Sequence, residues 1–235
     1  MGNGKMIPIA AADGGKFNGY LAAPSGGAAP GVVIIQEIFG VNAHIRDVVE
    51  EYAANGYVAL APDMFWRVEP DLQLDYTPEG MQKARELRGK FDLKLGMSDV
   101  GATIEALKAA PGCNGKIAAV GYCFGGFIGY LTAARFGVVA ASCYYGGGID
   151  GFLGEADAVK CPIQFHFGAE DHGIPMTAVD KIRAAFAGRK NAEVFVYEGA
   201  GHGFNCNRRA SFHPAASDLA RQRTLDMLRR TIGPR

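Results

Sequence analysis

The feature that most restricts what this chain can fold into is its regular alternation of short apolar runs with stretches of helical periodicity. "GVVIIQ" (31–36) is a continuous, largely β-branched run, as a strand buried on both faces requires. After it, Ile45, Val48, Val49, Tyr52 and Ala53 keep the spacing of one helical face, with Asn42 placed to cap the start and Gly56 to stop the end. "YVALAPD" reads as the next strand. Helical patterns follow over 78–91 and 98–110, then the strand "KIAAVG", a helix from Phe124 and a strand near 138–144. The strand "PIQFHFG", a helix from Pro175, the strand "AEVFVY" and a helix after Pro214 complete the chain. Strands joined through helices cross over in one hand, so the order predicts a doubly wound, mostly parallel sheet with helices on both faces. The Pro/Gly/Ala-rich "APSGGAAPG" is short and lies between two strand patterns, so it reads as a turn. A single α/β domain over residues 1–235 is expected, and the segment between Pro62 and Pro78 is too short for a lid domain.

In such sheets function gathers at the carboxyl ends of the strands. Cys123 sits there: "KIAAVGYCFGGFIGYLTAARF" reads as strand, sharp turn, helix, and G-x-C-x-G is the nucleophile-elbow pattern with cysteine in place of serine. A side chain at Gly121 or Gly125 would collide with the neighbouring strand or helix, and a helix N-terminus favours a thiolate. The plainer alternative, an inert buried thiol, is assigned to Cys113, Cys143, Cys161 and Cys206. Asp171 follows "PIQFHFG" in a loop, where a carboxylate can orient an imidazole. His202 follows "AEVFVY" in the glycine-rich "GAGHGF". By contrast, His172 reads as a loop side chain, His44 and His213 as solvated surface histidines, and His166 as a satisfied core histidine. Nucleophile, acid, histidine is the chain order of the α/β-hydrolase fold. That fold also needs two oxyanion donors, expected from the N–H of Phe124 and of Ile38 in "VVIIQEIFGVN". Glu37 beside it is a carboxylate after a buried strand. It needs a task or a partner, for which Arg46 and Arg67 are the structural candidates.

Bulk properties narrow the chemistry further. Lys+Arg and Asp+Glu balance at 24 each, which points away from nucleic acid as a partner. No run approaches the ~18 apolar residues of a membrane span. "MGNGKMIPIAAADGGKF" has neither the apolar run of a secretory signal nor the Ser or Thr of a myristoylation signal. Five cysteines without C-x-x-C spacing read as reduced thiols of a cytoplasmic protein. There is no nucleotide fingerprint or metal-ligand spacing, so neither cofactor nor metal is expected. The partner is a small molecule in an open pocket, with Phe39, Trp66, Tyr76, and Tyr144 or Tyr145 as candidate lining groups. A monomer is the simplest assembly, with an oligomer left open.

The segments "QEIFGVN", "GYVALAPDMF", "GYCFGG", "GAEDH" and "GAGHGF" together resemble the dienelactone hydrolases (carboxymethylenebutenolidases), cytoplasmic bacterial enzymes of aromatic degradation, and the resemblance covers nearly the whole chain. It implies a Cys–His–Asp triad at Cys123, His202 and Asp171, and a Glu37 that helps generate the thiolate when substrate binds. It also implies two arginines for the substrate carboxylate. Their positions fall here on Met81 and Cys206, and Arg85 and Arg208 are the nearby candidates to substitute.

Cysteine itself restricts the substrate. A thiolate derives from an acid of pKa ≈ 8.5, so a tetrahedral intermediate carrying an alkoxide would expel sulfur and revert. Enolates and thiolates leave better. Enol lactones, activated esters and thioesters are therefore the expected substrates, and the resemblance puts first the enol lactones, converted to maleylacetate-type products through a thioester acyl-enzyme. Activated small esters and thioesters, cleaved by a broader carboxylesterase or thioesterase, are the second. A hydrolase-fold protein that binds ligand or senses thiol redox state without turnover is the third.

Overall fold

The computed structural model describes residues 4–233; residues 1–3, on which the myristoylation reading falls, lie outside them. The chain forms two compact units that divide within the fifth strand, one running to Ala118 and the other from Ala119 to Gly233.

In the first unit, β1 (Lys5–Ala10) and β2 (Lys16–Ala22) form an antiparallel pair, β2 pairs antiparallel with β4 (Val58–Pro62), and β4 pairs parallel with β3 (Ala29–Ile35). Every residue of β3 and β4 is buried, which is why these strands read as unbroken apolar runs rather than as an alternation. The crossover helix α1 (Ala43–Ala54) starts where Asn42 accepts the Ile45 N–H at 3.2 Å, and the chain leaves it through Gly56 in a left-handed conformation (φ 90°). α2 (Pro78–Gly89) is capped by Thr77. α3 (Leu93–Lys108) begins at Leu93, ahead of the Ser98 expected from periodicity. Asp92 caps it by accepting the Leu95 N–H at 2.9 Å. Gly96 lies in its first turn, where a Cβ would stand 2.0 Å from the Phe91 ring. α1 and α3 both pack on β3 and β4.

In the second unit the end of β5 (Cys113–Tyr122), from Ala119 on, runs parallel with β6 (Ala141–Tyr144), β7 (Ile163–Gly168) and β8 (Ala192–Tyr197), in that order. Helices α4 (Phe124–Arg135), α5 (Met176–Ala185) and α6 (Pro214–Thr231) accompany them. The parallel α/β pattern expected from the sequence holds throughout the second unit and for β3–β4 in the first, where β1 and β2 add two antiparallel pairs. Among the described residues no helix is long and apolar enough to cross a membrane.

A polar seam runs under β6–β8. Thr224 of α6 lies 2.8 Å from both Ser142 Oγ and Tyr144 Oη, and His166 Nδ1 lies 2.8 Å from Tyr197 Oη. Burial, with Arg223 nearby, pushes His166 down to about 3, so it stays neutral, as a satisfied core histidine should. His44 corrects the expectation of a solvated group. It lies on the inward face of α1, 4% exposed, with its ring edge toward Tyr76 at 6.4 Å. His213 is half-buried and caps α6 by accepting the Ala216 N–H.

Candidate active site

The turn between β5 and α4 is built by steric exclusion. Cys123 has φ 55° and ψ −115°, a region almost closed to residues with a Cβ. Hydrogen bonds hold it there: its N–H donates to the Tyr144 carbonyl at 3.0 Å, and its own carbonyl accepts from Gly126 at 2.9 Å. A Cβ at Gly121 would lie 1.8 Å from the Gly125 oxygen, and one at Gly126 would lie 2.4 Å from the Tyr144 oxygen. The glycines are what allow strand, turn and helix to approach this closely.

Two further loops bring the acid and the imidazole to this turn. Glu170 N–H donates to the Ala200 carbonyl and Ala169 N–H to that of Tyr197, both at 2.9 Å, which ties the loop after β7 to the loop after β8. Asp171 is buried, and one of its oxygens accepts the Gly173 N–H at 2.9 Å. The other lies 2.7 Å from His202 Nδ1, while His202 Nε2 lies 3.0 Å from Cys123 Sγ. Cys123, His202 and Asp171 therefore form one continuous chain of contacts. Burial alone would lower the His202 pKa. The interaction with Cys123 and the hydrogen bond to Asp171 outweigh it and raise it to about 10. Burial pushes Cys161 up to about 11 and Cys143 higher still, and all five cysteines are free of disulfides.

The other residues singled out from the sequence have the following surroundings. Glu37 is fully buried after β3, and its Oε2 accepts the Tyr76 hydroxyl at 2.7 Å. Arg46 and Arg67 are engaged elsewhere, the first with Gln73 and the second with Asp99 and Asp13. Tyr76 as the partner of Glu37 was not legible in sequence, because 39 positions separate the two. Ile38 is half-buried; Phe39 is buried against Tyr76 at 4.5 Å. Trp66 packs face to face on Phe17 at 5.4 Å, carries the Arg67 guanidinium over its ring, and donates its indole N–H to Asp99. Phe124 opens α4 and is buried. Tyr144 is 1% exposed with its hydroxyl against Thr224, because the pleat turns it toward α6. Tyr145 is buried with its ring edge-on to His202 at 5.2 Å. Arg85 and Arg208 are exposed. Arg209, which the sequence reading passed over, is half-buried, with a guanidinium nitrogen 2.4 Å from where a Cβ of Gly203 would stand, one residue beyond His202.

Comparison with known proteins gives one consistent answer. The model of the dienelactone hydrolase family matches residues 17–232. A carboxymethylenebutenolidase of Pseudomonas putida is 37% identical over 223 residues, spanning 94% of each chain. Carboxymethylenebutenolidase 1 of Cupriavidus pinatubonensis is 35% identical, spanning 94% of this chain and 95% of its own. A crystal structure of a candidate dienelactone hydrolase from Klebsiella pneumoniae superposes with a TM-score of 0.85 at 30% identity, over 95% of this chain and 97% of that one.

Proposed function

Because this chain belongs to the dienelactone hydrolase family, we propose that it opens dienelactone-type enol lactones to maleylacetate-type products, through a Cys–His–Asp triad and a thioester intermediate. The observation that carries this reading is the unbroken contact from Cys123 Sγ through His202 to Asp171, at 3.0 and 2.7 Å. The Cys123 thiolate attacks the lactone carbonyl, forming a C–S bond and placing negative charge on the carbonyl oxygen. The backbone N–H groups of Phe124 and Ile38 are assigned to that oxyanion. Collapse of the intermediate breaks the ring C–O bond, expels the enolate and leaves a thioester on Cys123, with the imidazolium of His202 available to protonate the leaving group. His202, held by Asp171, then takes a proton from water as that water attacks the thioester, and the acid and free thiolate are released. Glu37 is assigned to helping generate the thiolate when substrate binds, with the thiol proton passing on to His202, and Tyr76 to fixing the Glu37 carboxylate. The enolate leaving group suits a sulfur nucleophile for the reason derived from the sequence.

A second reading, a broader carboxylesterase or thioesterase of small acyl substrates, draws support from Cys206. At this position, where the resemblance implies an arginine, the chain has a fully buried thiol. Turnover of cis- and trans-dienelactone beside p-nitrophenyl acetate and an acyl thioester separates the two. Acid-quenched mass spectrometry should find the acyl group on Cys123. Cys123→Ala should abolish turnover, and full activity in that variant would overturn the nucleophile assignment. Arg85→Ala and Arg208→Ala should raise KM for carboxylate-bearing lactones more than for neutral esters. Equal effects would remove both arginines from carboxylate binding.

A further inference from the structure

Tyr145 has one of three positive φ angles found at non-glycine positions among the described residues, at 36°. Another belongs to Cys123. In a regular strand the residue after Tyr144 would point to the opposite face of the sheet. Here the left-handed turn at 145 puts both tyrosine rings on one side. Each lies against Tyr122 (4.8 Å for Tyr144 and 6.4 Å for Tyr145) and against Phe204 (6.4 and 5.2 Å). The Tyr145 N–H, donating to the His166 carbonyl at 2.7 Å, fixes the turn. What the strained turn accomplishes is to bring the Tyr145 ring edge-on to the imidazole of His202, at 5.2 Å and 61°. Phe204, two residues after His202, backs that ring at 74° and packs on Tyr197 at 5.1 Å. The same strand end thus reaches two members of the triad: the Tyr144 carbonyl holds the Cys123 N–H, and the ring of the next residue abuts His202.

We infer that Tyr145 is a positioning residue for His202: its ring, delivered by the left-handed turn and backed by Phe204, restricts rotation of the imidazole and keeps Nε2 aimed at Cys123. This rests on the triad reading above. The ring does the work, and the hydroxyl is not required for it. A backbone strained away from its preferred region at a reacting centre is a sign of such a task, and small losses of alignment at a base have large effects on rate.

The test compares Tyr145→Phe, Tyr145→Leu and Tyr145→Gly by steady-state kinetics and by the pH profile of Cys123 alkylation with iodoacetamide, which needs no substrate. The phenylalanine variant should stay within about threefold of the wild-type kcat. Leucine fills the volume without a flat edge, and glycine removes the ring while accepting the turn without strain. Each should lower kcat by about tenfold or more with KM changed less than about twofold, and each should shift the alkylation profile toward that of His202→Ala. Glycine serves as the second variant if leucine does not fold. Wild-type kcat and alkylation in the leucine or glycine variant would overturn the inference. So would a rise in KM alone, which would mark a substrate contact, or a phenylalanine variant as impaired as leucine, which would mark the hydroxyl. If His202→Ala itself alkylated like wild type, the thiol–imidazole pair would be absent, and the triad reading would fall along with the role of Tyr145.

Discussion

Replacing Cys123 by glycine should leave this protein more stable than replacing it by alanine, while either change abolishes its chemistry. The φ of 55° and ψ of −115° at Cys123 place it where a Cβ is resisted, and holding a non-glycine residue in such a region costs about 1–3 kcal/mol. Cys123→Ala keeps the Cβ and removes the sulfur; Cys123→Gly removes both. Their difference therefore cancels the loss of the thiol–imidazole contact and isolates the backbone. At an ordinary position alanine is the more stable of the two by about 0.4–1 kcal/mol, because glycine loses more chain entropy on folding. The strain outweighs that deficit and leaves glycine ahead by roughly 0.5–2 kcal/mol. For a chain of this length that corresponds to about 1–8 °C in Tm. Urea unfolding of the two variants at neutral pH, with equal m-values, measures it directly. Alanine equal to or more stable than glycine would refute the claim that the elbow stores strain, and would leave the left-handed turn as a conformation without cost.

Three further outcomes follow from the packing and from titration. Gly121→Ala would bring a Cβ to 1.8 Å from the Gly125 oxygen, so it should lower the urea midpoint and turnover sharply. Gly137→Ala, with nothing within 4 Å, should stay within about 0.5 kcal/mol of wild type; two equal midpoints would remove the close approach as the reason for this glycine. His166 takes its proton near 6.5 when unfolded but only at about 3 when folded. The unfolded state therefore binds more protons between those values, and stability is lost as pH falls from 6.5. The loss by pH 4.5 is about 3 kcal/mol relative to His166→Gln. Burial also raises Asp63 to about 6, which acts in the opposite direction between 6 and 3.8, but it is common to both proteins and drops out of the comparison; parallel pH–stability curves would rule out a neutral buried His166. Tyr76→Phe removes a hydrogen bond to the buried Glu37 carboxylate and should cost about 1.5–3 kcal/mol of stability. It should also slow turnover, and an unchanged unfolding midpoint and kcat would show that Glu37 does not depend on this hydroxyl.

What the sequence determined by itself was whatever depends on short range. The unbroken apolar runs of β3 and β4 follow from burial on both faces, and the cap at Asn42 from one side chain and a backbone amide three residues on. Cys123 between glycines, with Asp171 and His202 each just past a strand, was legible because a parallel α/β sheet delivers its strand ends to one edge whatever the details. Tertiary structure decided what depends on residues far apart in the chain. The start of α3 at Leu93 was hidden because Gly96 looks like a breaker until Phe91 is seen against it. His44 lies four residues before Val48 and eight before Tyr52, on the face that the apolar spacing marked as inward, and it read as a surface group only because its side chain is polar. The Tyr76 partner of Glu37 and the Arg209 guanidinium beside Gly203 depend on loop paths, which periodicity does not encode. Tyr144 and Tyr145 are adjacent and chemically identical in sequence, yet one is anchored to Thr224 and the other abuts His202. The left-handed backbone angle at Tyr145 decides where the second ring goes, and that angle is set by the hydrogen bonds and close packing of the assembled strand ends.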